Sequence, residues 1–183
     1  GNSQGDGFGE AVAISADGMV LAVGAATSLP TSHATVDPAG GYVHVFDFDE
    51  GANDWVRRGA QLTGEDGSHG RSVALSANGH VLAIGEYNHD GPTAEHCGRV
   101  LVYSWDYVVD HEWKLVDEIS GEFRWEEFGW SVALSDDGAT LVVGSPRGEQ
   151  VGNGIFGDNI PDSPNQARGH VRVYVAAAPS PPA

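Results

Sequence analysis

Two histidines and two carboxylates fall within eight residues, at His89-Asp90 and Glu95-His96. Imidazole and carboxylate are the side chains that ligate metals and move protons near neutral pH. Their spacing matches no metal-site pattern, so a polar loop is the first reading. Trp125 and Trp130 flank Phe128-Gly129, where they offer a stacking platform for a sugar, or else pack. The stretch Ser145 to Arg168 carries Arg147, Ile155, Phe156, Asp158 and Ile160. Its two readings are a ligand or partner contact and a lid packed on itself. There is no His-Glu-x-x-His and no order suited to a catalytic triad. The expectation is a binding protein rather than an enzyme, with no cofactor.

The charge narrows the partners. Nine basic against 26 acidic residues give a formal charge of −17. Such a chain repels phosphate, which argues against nucleic acid and anionic membrane surfaces. The acidity serves solubility, or gathers divalent cations such as calcium at acidic loops. No apolar run is long enough to span a bilayer as a helix. Cys97 is the single cysteine, so no internal disulfide framework or cysteine-based zinc site exists. It is expected to be small and half-buried at a loop end, able to pair with another chain in an oxidising compartment.

The elements that position these residues come from a repeat. Phe8-Gly9 to Gly24, His69-Gly70 to Gly85 and Phe128-Gly129 to Gly144 are three versions of one phrase. Ser15, Ser76 and Ser135 open its Ser-x-Asp/Asn-Gly element, 61 and 59 residues apart. Each copy is followed by a third segment starting at Gly41, Gly98 or Gly169, and the first two by a Trp-led fourth at Trp55 and Trp113. Asp17-Gly18, Asn78-Gly79 and Asp137-Gly138 predict type I′ hairpin turns, with the preceding serines hydrogen-bonded to them.

On either side of those turns apolar residues alternate with period two. Val12 and Ile14, Val73 and Leu75, and Val132 and Leu134 share a bulky face, while Ala13, Ala74 and Ala133 share a small one. A strand apolar on both faces belongs in a sheet stacked between two others, bulky face against small. Val43 and Val45, Val100 and Val102, and Val171 and Val173 share a face of the third strand. The more polar fourth suits an outer edge. The fold class is therefore all-β: three four-stranded antiparallel β-propeller blades, the last lacking its outer strand. The blades are expected at 1–65, 66–122 and 123–175, with a Pro-rich tail or linker at 176–183.

The order Phe-Gly-x-Ser-Val-Ala-Leu-Ser-x-Asp-Gly, a second strand ending in Gly, then Gly-x-Val-x-Val-Tyr resembles the FG-GAP repeat. The naming motif stands at Phe8-Gly9 with Gly24-Ala25 and at Phe128-Gly129 with Gly144-Ser145-Pro146; copy two departs with His69-Gly70 and Gly85-Glu86. The resemblance implies integrin-α-like propeller blades of an extracellular or cell-surface protein. The calcium loop of that family is reduced here to a tight turn, too short for six to eight oxygen ligands, so its calcium sites are not carried over. The function implied is a non-catalytic scaffold or adhesion module making protein contacts through blade edges and loops. The alternatives are a lectin-like glycan binder using Trp125 and Trp130, and an accessory propeller of a secreted enzyme. Three blades fall below the usual four to eight, so the partners expected are a second copy or further blades of a longer chain. Candidate binding residues are Arg147, Ile155, Phe156, Asp158, Ile160, Trp125, Trp130, His89 and His96, with no catalytic or metal residue.

Overall fold

The computed structural model describes residues 1–2, 5–26, 41–65, 68–92, 94–147 and 169–176. These form twelve strands and no helix. The first sheet has the order β1 (Phe8–Ile14), β2 (Val20–Ala25), β3 (Tyr42–Asp49), β4 (Asp54–Arg57), with β5 (Leu62–Thr63) also on β3. The second runs β6 (Ser72–Leu75), β7 (Val81–Glu86), β8 (Arg99–Asp106), β9 (Glu112–Ser120). The third holds β10 (Ser131–Leu134), β11 (Thr140–Ser145) and β12 (His170–Val175). All neighbours are antiparallel. The first strands β1, β6 and β10 approach one another across the sheets, as the inner strands of propeller blades do.

Bulky-on-small packing holds the blades together. Ala22, Val43 and Val45 of the first blade meet Leu82, Ile84 and Trp113 of the second, with Ala13, Val73 and Leu75 alongside. Ala74, Ala83 and Val100 of the second meet Leu141, Val143 and Phe128 of the third, with Val132 and Leu134 alongside. Alanine on one sheet leaves the depth that leucine and isoleucine on the next occupy. Each side chain so buried contributes roughly 1.5–3 kcal/mol. Among the described residues only the two joints between blades are filled. Val12 and Ile14 are 64% and 58% exposed on the first blade, and Val171 and Val173 37% and 42% on the last.

The predicted hairpin turn differs from the one formed. Only Gly18, Gly79 and Gly138 have positive φ; Asp17, Asn78 and Asp137 do not, so the turn is not type I′. Gly18 N–H donates to Ser15 O, and Ser15 N–H donates to Val20 O. This is a four-residue hairpin loop, repeated at Ser76 and Ser135. The serine hydroxyl is its pivot, donating to the Asp or Asn side chain and accepting the first N–H of the next strand. The wider loop also lets each turn donate to the next: Ala16 N–H to Ala77 O, and Ala77 N–H to Asp136 O. Ser76→Ala removes two bonds from a fully buried hydroxyl. It should lower stability by about 1 kcal/mol in a urea titration; an unchanged midpoint would show the pivot contributes nothing.

The fourth segments also depart from one regular edge strand. In the first blade it breaks into β4 and β5, because Gly59 to Gln61 bulge away from β3 after Arg58 N–H has donated to Val45 O. The bulge swings Arg58 across the joint, where its guanidinium lies 4.7 Å from the Trp105 ring and 5.6 Å from Trp113. Trp113 Nε1 donates to Arg58 O at 3.3 Å. Trp113 is therefore a joint residue, whereas Trp55 packs edge-on to Phe48. Cys97 is 1% exposed rather than half-buried, its thiol directed at His89 O, which removes it from pairing with another chain.

Candidate interaction surface

The ends of the second strands, the starts of the third and the approaches to the first lie together at one end of each blade. An acidic side chain is buried there in all three. In the first blade Asp6 accepts the N–H groups of Asn2 (2.6 Å) and Phe8 (3.0 Å) and the hydroxyl of Tyr42. Burial, then the bond to Asp6, pushes the Tyr42 phenol up to about 12. In the third blade Glu126 accepts the N–H groups of Glu122 (2.6 Å) and Phe123 (2.9 Å). Its other oxygen lies 2.9 Å from His170 Nε2 and 3.0 Å from Arg172 Nη2.

The second blade has Gly67 where the others have Asp6 and Glu126. Its acid comes from the neighbouring strand instead. Glu86, at the end of β7, bonds both His69 and Arg99 and is wholly buried. Burial pushes this carboxyl up, but His69 and Arg99 outweigh it and hold it below the usual range. Arg99 reaches on to Glu118 (3.1 Å) and Glu65 (3.4 Å). Each acid fastens the approach to the first strand or the start of the third.

Between the second and third blades the backbone is strained in one place. Trp125 N–H donates to Glu95 O (3.0 Å), Glu127 N–H to His96 O (3.3 Å) and Phe128 N–H to Cys97 O (2.9 Å). His96, Trp125 and Glu127 have φ of 49°, 61° and 55°. Left-handed backbone at residues with a Cβ costs roughly 1–2 kcal/mol each. The strain sets Trp125 face to face with His96, centroids 4.0 Å apart, while leaving the indole 48% exposed. Arg124 bonds Glu95 and lies 5.8 Å from the same ring. Arg147, 66% exposed, pairs with Glu127 at 3.0 Å; burial raises the Glu127 carboxyl against the pull of that arginine.

His96, Trp125 and Arg147, three of the sequence-derived candidates, thus share one surface. Trp130 joins it only through its backbone, donating to Glu127 O; its ring packs edge-on to Tyr87 at 4.8 Å, under Arg71. The two tryptophans have separate partners rather than forming one platform. His89 is not a surface group: its side chain is 13% exposed and its Nδ1 lies 3.9 Å from Glu86. Ile155, Phe156, Asp158 and Ile160 lie outside the described residues. Among the described residues no three His, Cys, Asp or Glu side chains converge to hold a metal. The buried acids were the features sequence reasoning missed. Their signal was present as charge at apolar strand positions: Glu86 where the first copy has Ala25, and Arg99 and His170 where it has Tyr42.

No protein-family model matches the sequence, and no curated protein matches it. Among solved structures, the chain is similar to a periplasmic gluconolactonase of Pseudomonas aeruginosa: 18% identity, 74% of this chain and 36% of that one, TM-score 0.49. It is similar to Sqt1 of Saccharomyces cerevisiae: 16% identity, 79% and 30% covered, TM-score 0.48. A third is KlAtg21 in complex with the coiled coil of AgAtg16: 17% identity, 74% and 36% covered, TM-score 0.47. The chain spans about a third of the length of these structures.

Proposed function

We propose that these blades form a non-catalytic protein-interaction scaffold of an extracellular or cell-surface protein, as the FG-GAP-like phrase suggests. The observation that carries this reading is the Trp125–His96 stack, its indole left half exposed among three left-handed residues, with Arg124 beside the ring and Arg147 on the neighbouring Glu127. Strained backbone around an exposed aromatic is maintained at a cost in stability. Tryptophan and arginine are the side chains that dominate protein contacts. The charge of −17 favours a partner that presents basic groups around an apolar centre.

Wild-type and Trp125→Ala chains, immobilised side by side, test this against surface-protein extract of the cells that make the protein. Wild type should retain a discrete set of proteins at least tenfold above the variant by quantitative mass spectrometry, ~1.4 kcal/mol or more of binding. Identical retention on the two chains, or none on either, would overturn it. A glycan reading is supported by the partial exposure of Trp125 and Trp130, at 48% and 37%. It requires saturable binding to a glycan array that each Trp→Ala change abolishes.

A further inference from the structure

Two glycines of each blade record where the next blade sits. A Cβ on Gly24 would fall 2.0 Å from Gly70 O, and one on Gly41 2.0 Å from His69 O. At the second joint a Cβ on Gly85 would fall 2.1 Å from Gly129 O, and one on Gly98 2.1 Å from Phe128 O. In both joints the aromatic-Gly step that starts one blade is pressed into the glycine pair of the blade before it.

The third blade has the same pair, Gly144 and Gly169, with no other blade against it among the described residues. The three nearest atoms to a Cβ at either position all belong to the third blade itself. Together with Trp130, Ser131, Ser145 and His170 they line an open recess of about 310 Å³. Ser145 Oγ and His170 Nδ1 are buried there without a hydrogen-bond partner, while His170 Nε2 is held by Glu126. Val171 and Val173 continue the uncovered face, although their counterparts Val43, Val45, Val100 and Val102 all pack in the two joints.

The complement stands at the other end of the molecule. Phe8-Gly9 occupies the position of His69-Gly70 and Phe128-Gly129, and Gly9 has φ +97 with nothing within 4 Å of a Cβ. Gly70 and Gly129, in the same conformation, press on Tyr42 O and Arg99 O of the preceding blade. Val12 and Ile14 are exposed where Val73, Leu75, Val132 and Leu134 are packed. The turn ladder agrees: each turn donates to the following blade, so Asp136 N–H at one end matches Ala16 O at the other.

We infer that the glycine-lined recess of the third blade is a berth for Phe8-Gly9 and strand β1 of a second copy of this chain. The inference rests on the reading of the blades as an interaction module and adds to it a self-contact, at a surface separate from Trp125. The contact is heterologous, one end on the other, so two copies make it twice and close a ring of six blades. Six lies within the range that propellers adopt.

The test uses the 183-residue chain in light scattering across a concentration series. Wild type should rise twofold in mass from 19.2 kDa. Ile14→Lys and Val173→Glu each alter one half of the joint at residues 58% and 42% exposed, so both variants should fold, as circular dichroism checks. Each alone should stay at single mass. Mixed, they should pair through the one unaltered joint, Ile14 and Val12 of the Val173→Glu chain against the berth of the Ile14→Lys chain. A folded wild-type monomer at every concentration would overturn the inference and assign the berth to a further blade of a longer chain. A dimer untouched by either variant, or variants that fail to pair when mixed, would overturn the end-to-end joint. Growth beyond two copies would overturn ring closure. The tryptophan comparison stays independent: a monomer whose Trp125→Ala variant still loses partners leaves the interaction reading standing.

Discussion

Glu86→Ala is expected to lower the unfolding free energy by about 3–5 kcal/mol, the usual effect of removing one partner from a buried ion pair. The carboxylate is wholly buried and bonds His69 and Arg99, themselves 0% and 8% exposed. Without it, Arg99 keeps only Glu118 and Glu65, which are 43% and 76% exposed and correspondingly screened. A chemical-denaturation midpoint at unchanged slope measures the loss. A loss below about 1 kcal/mol would show that the cluster relaxes to water, and would remove Glu86 as the fastening of the second blade.

The same group sets a pH dependence. His69 and Arg99 hold the Glu86 carboxyl below its ordinary value, so the folded chain binds that proton less readily than the unfolded one. Its contribution is complete above the unfolded glutamate value of about 4.3 and is lost as pH falls through the lower, folded one. Glu86→Gln lacks this contribution at every pH. The stability gap between wild type and Glu86→Gln should therefore narrow as pH drops below about 4.3. A gap that widens on acidification would reverse the assigned direction.

Gly85→Ala should cost more than about 3 kcal/mol, at or beyond the upper end for overpacking a core. Its Cβ would lie 2.1 Å from Gly129 O and 2.2 Å from Ser72 Oγ, which itself donates to Gly129 O. A backbone oxygen cannot rotate aside. It moves only with the start of β10, and Phe128, fully buried one residue earlier, moves with it. Gly144→Ala is the internal control, with both changes made in the Ile14→Lys background that keeps the third-blade face open. Within the chain its close contact is Ser131 Oγ at 2.4 Å and the next atom is 3.7 Å away. A hydroxyl turns to another rotamer for under about 1.5 kcal/mol. Paired urea titrations check the contrast. Equal losses at the two positions would show that steric fit at the joint does not distinguish an occupied face from an open one.

The blade fold was legible in the sequence because its cause is local and repeated. Alternation of Val73-Ala74-Leu75 specifies two unlike faces, and three registered copies specify that the faces meet. Bulky-on-small packing in both joints follows from that pattern, and Val12 and Ile14 carry the same bulky face, exposed, on the first blade. The candidate surface was legible in part: His96, Trp125 and Arg147 were marked by residue type and loop position, and the fold brings them together. What only the tertiary structure decided involves residues far apart in the chain. The hairpin turn widened because its backbone also bonds the neighbouring blade, Ala16 to Ala77, a contact that no dipeptide rule contains. His89 turned inward because Glu86 lies buried beside it. Glu86, His69 and Arg99 read singly as charges at odd positions. They become one fastening because two strands and a loop converge, and in a low-dielectric interior a charge is retained only where its partners arrive with it.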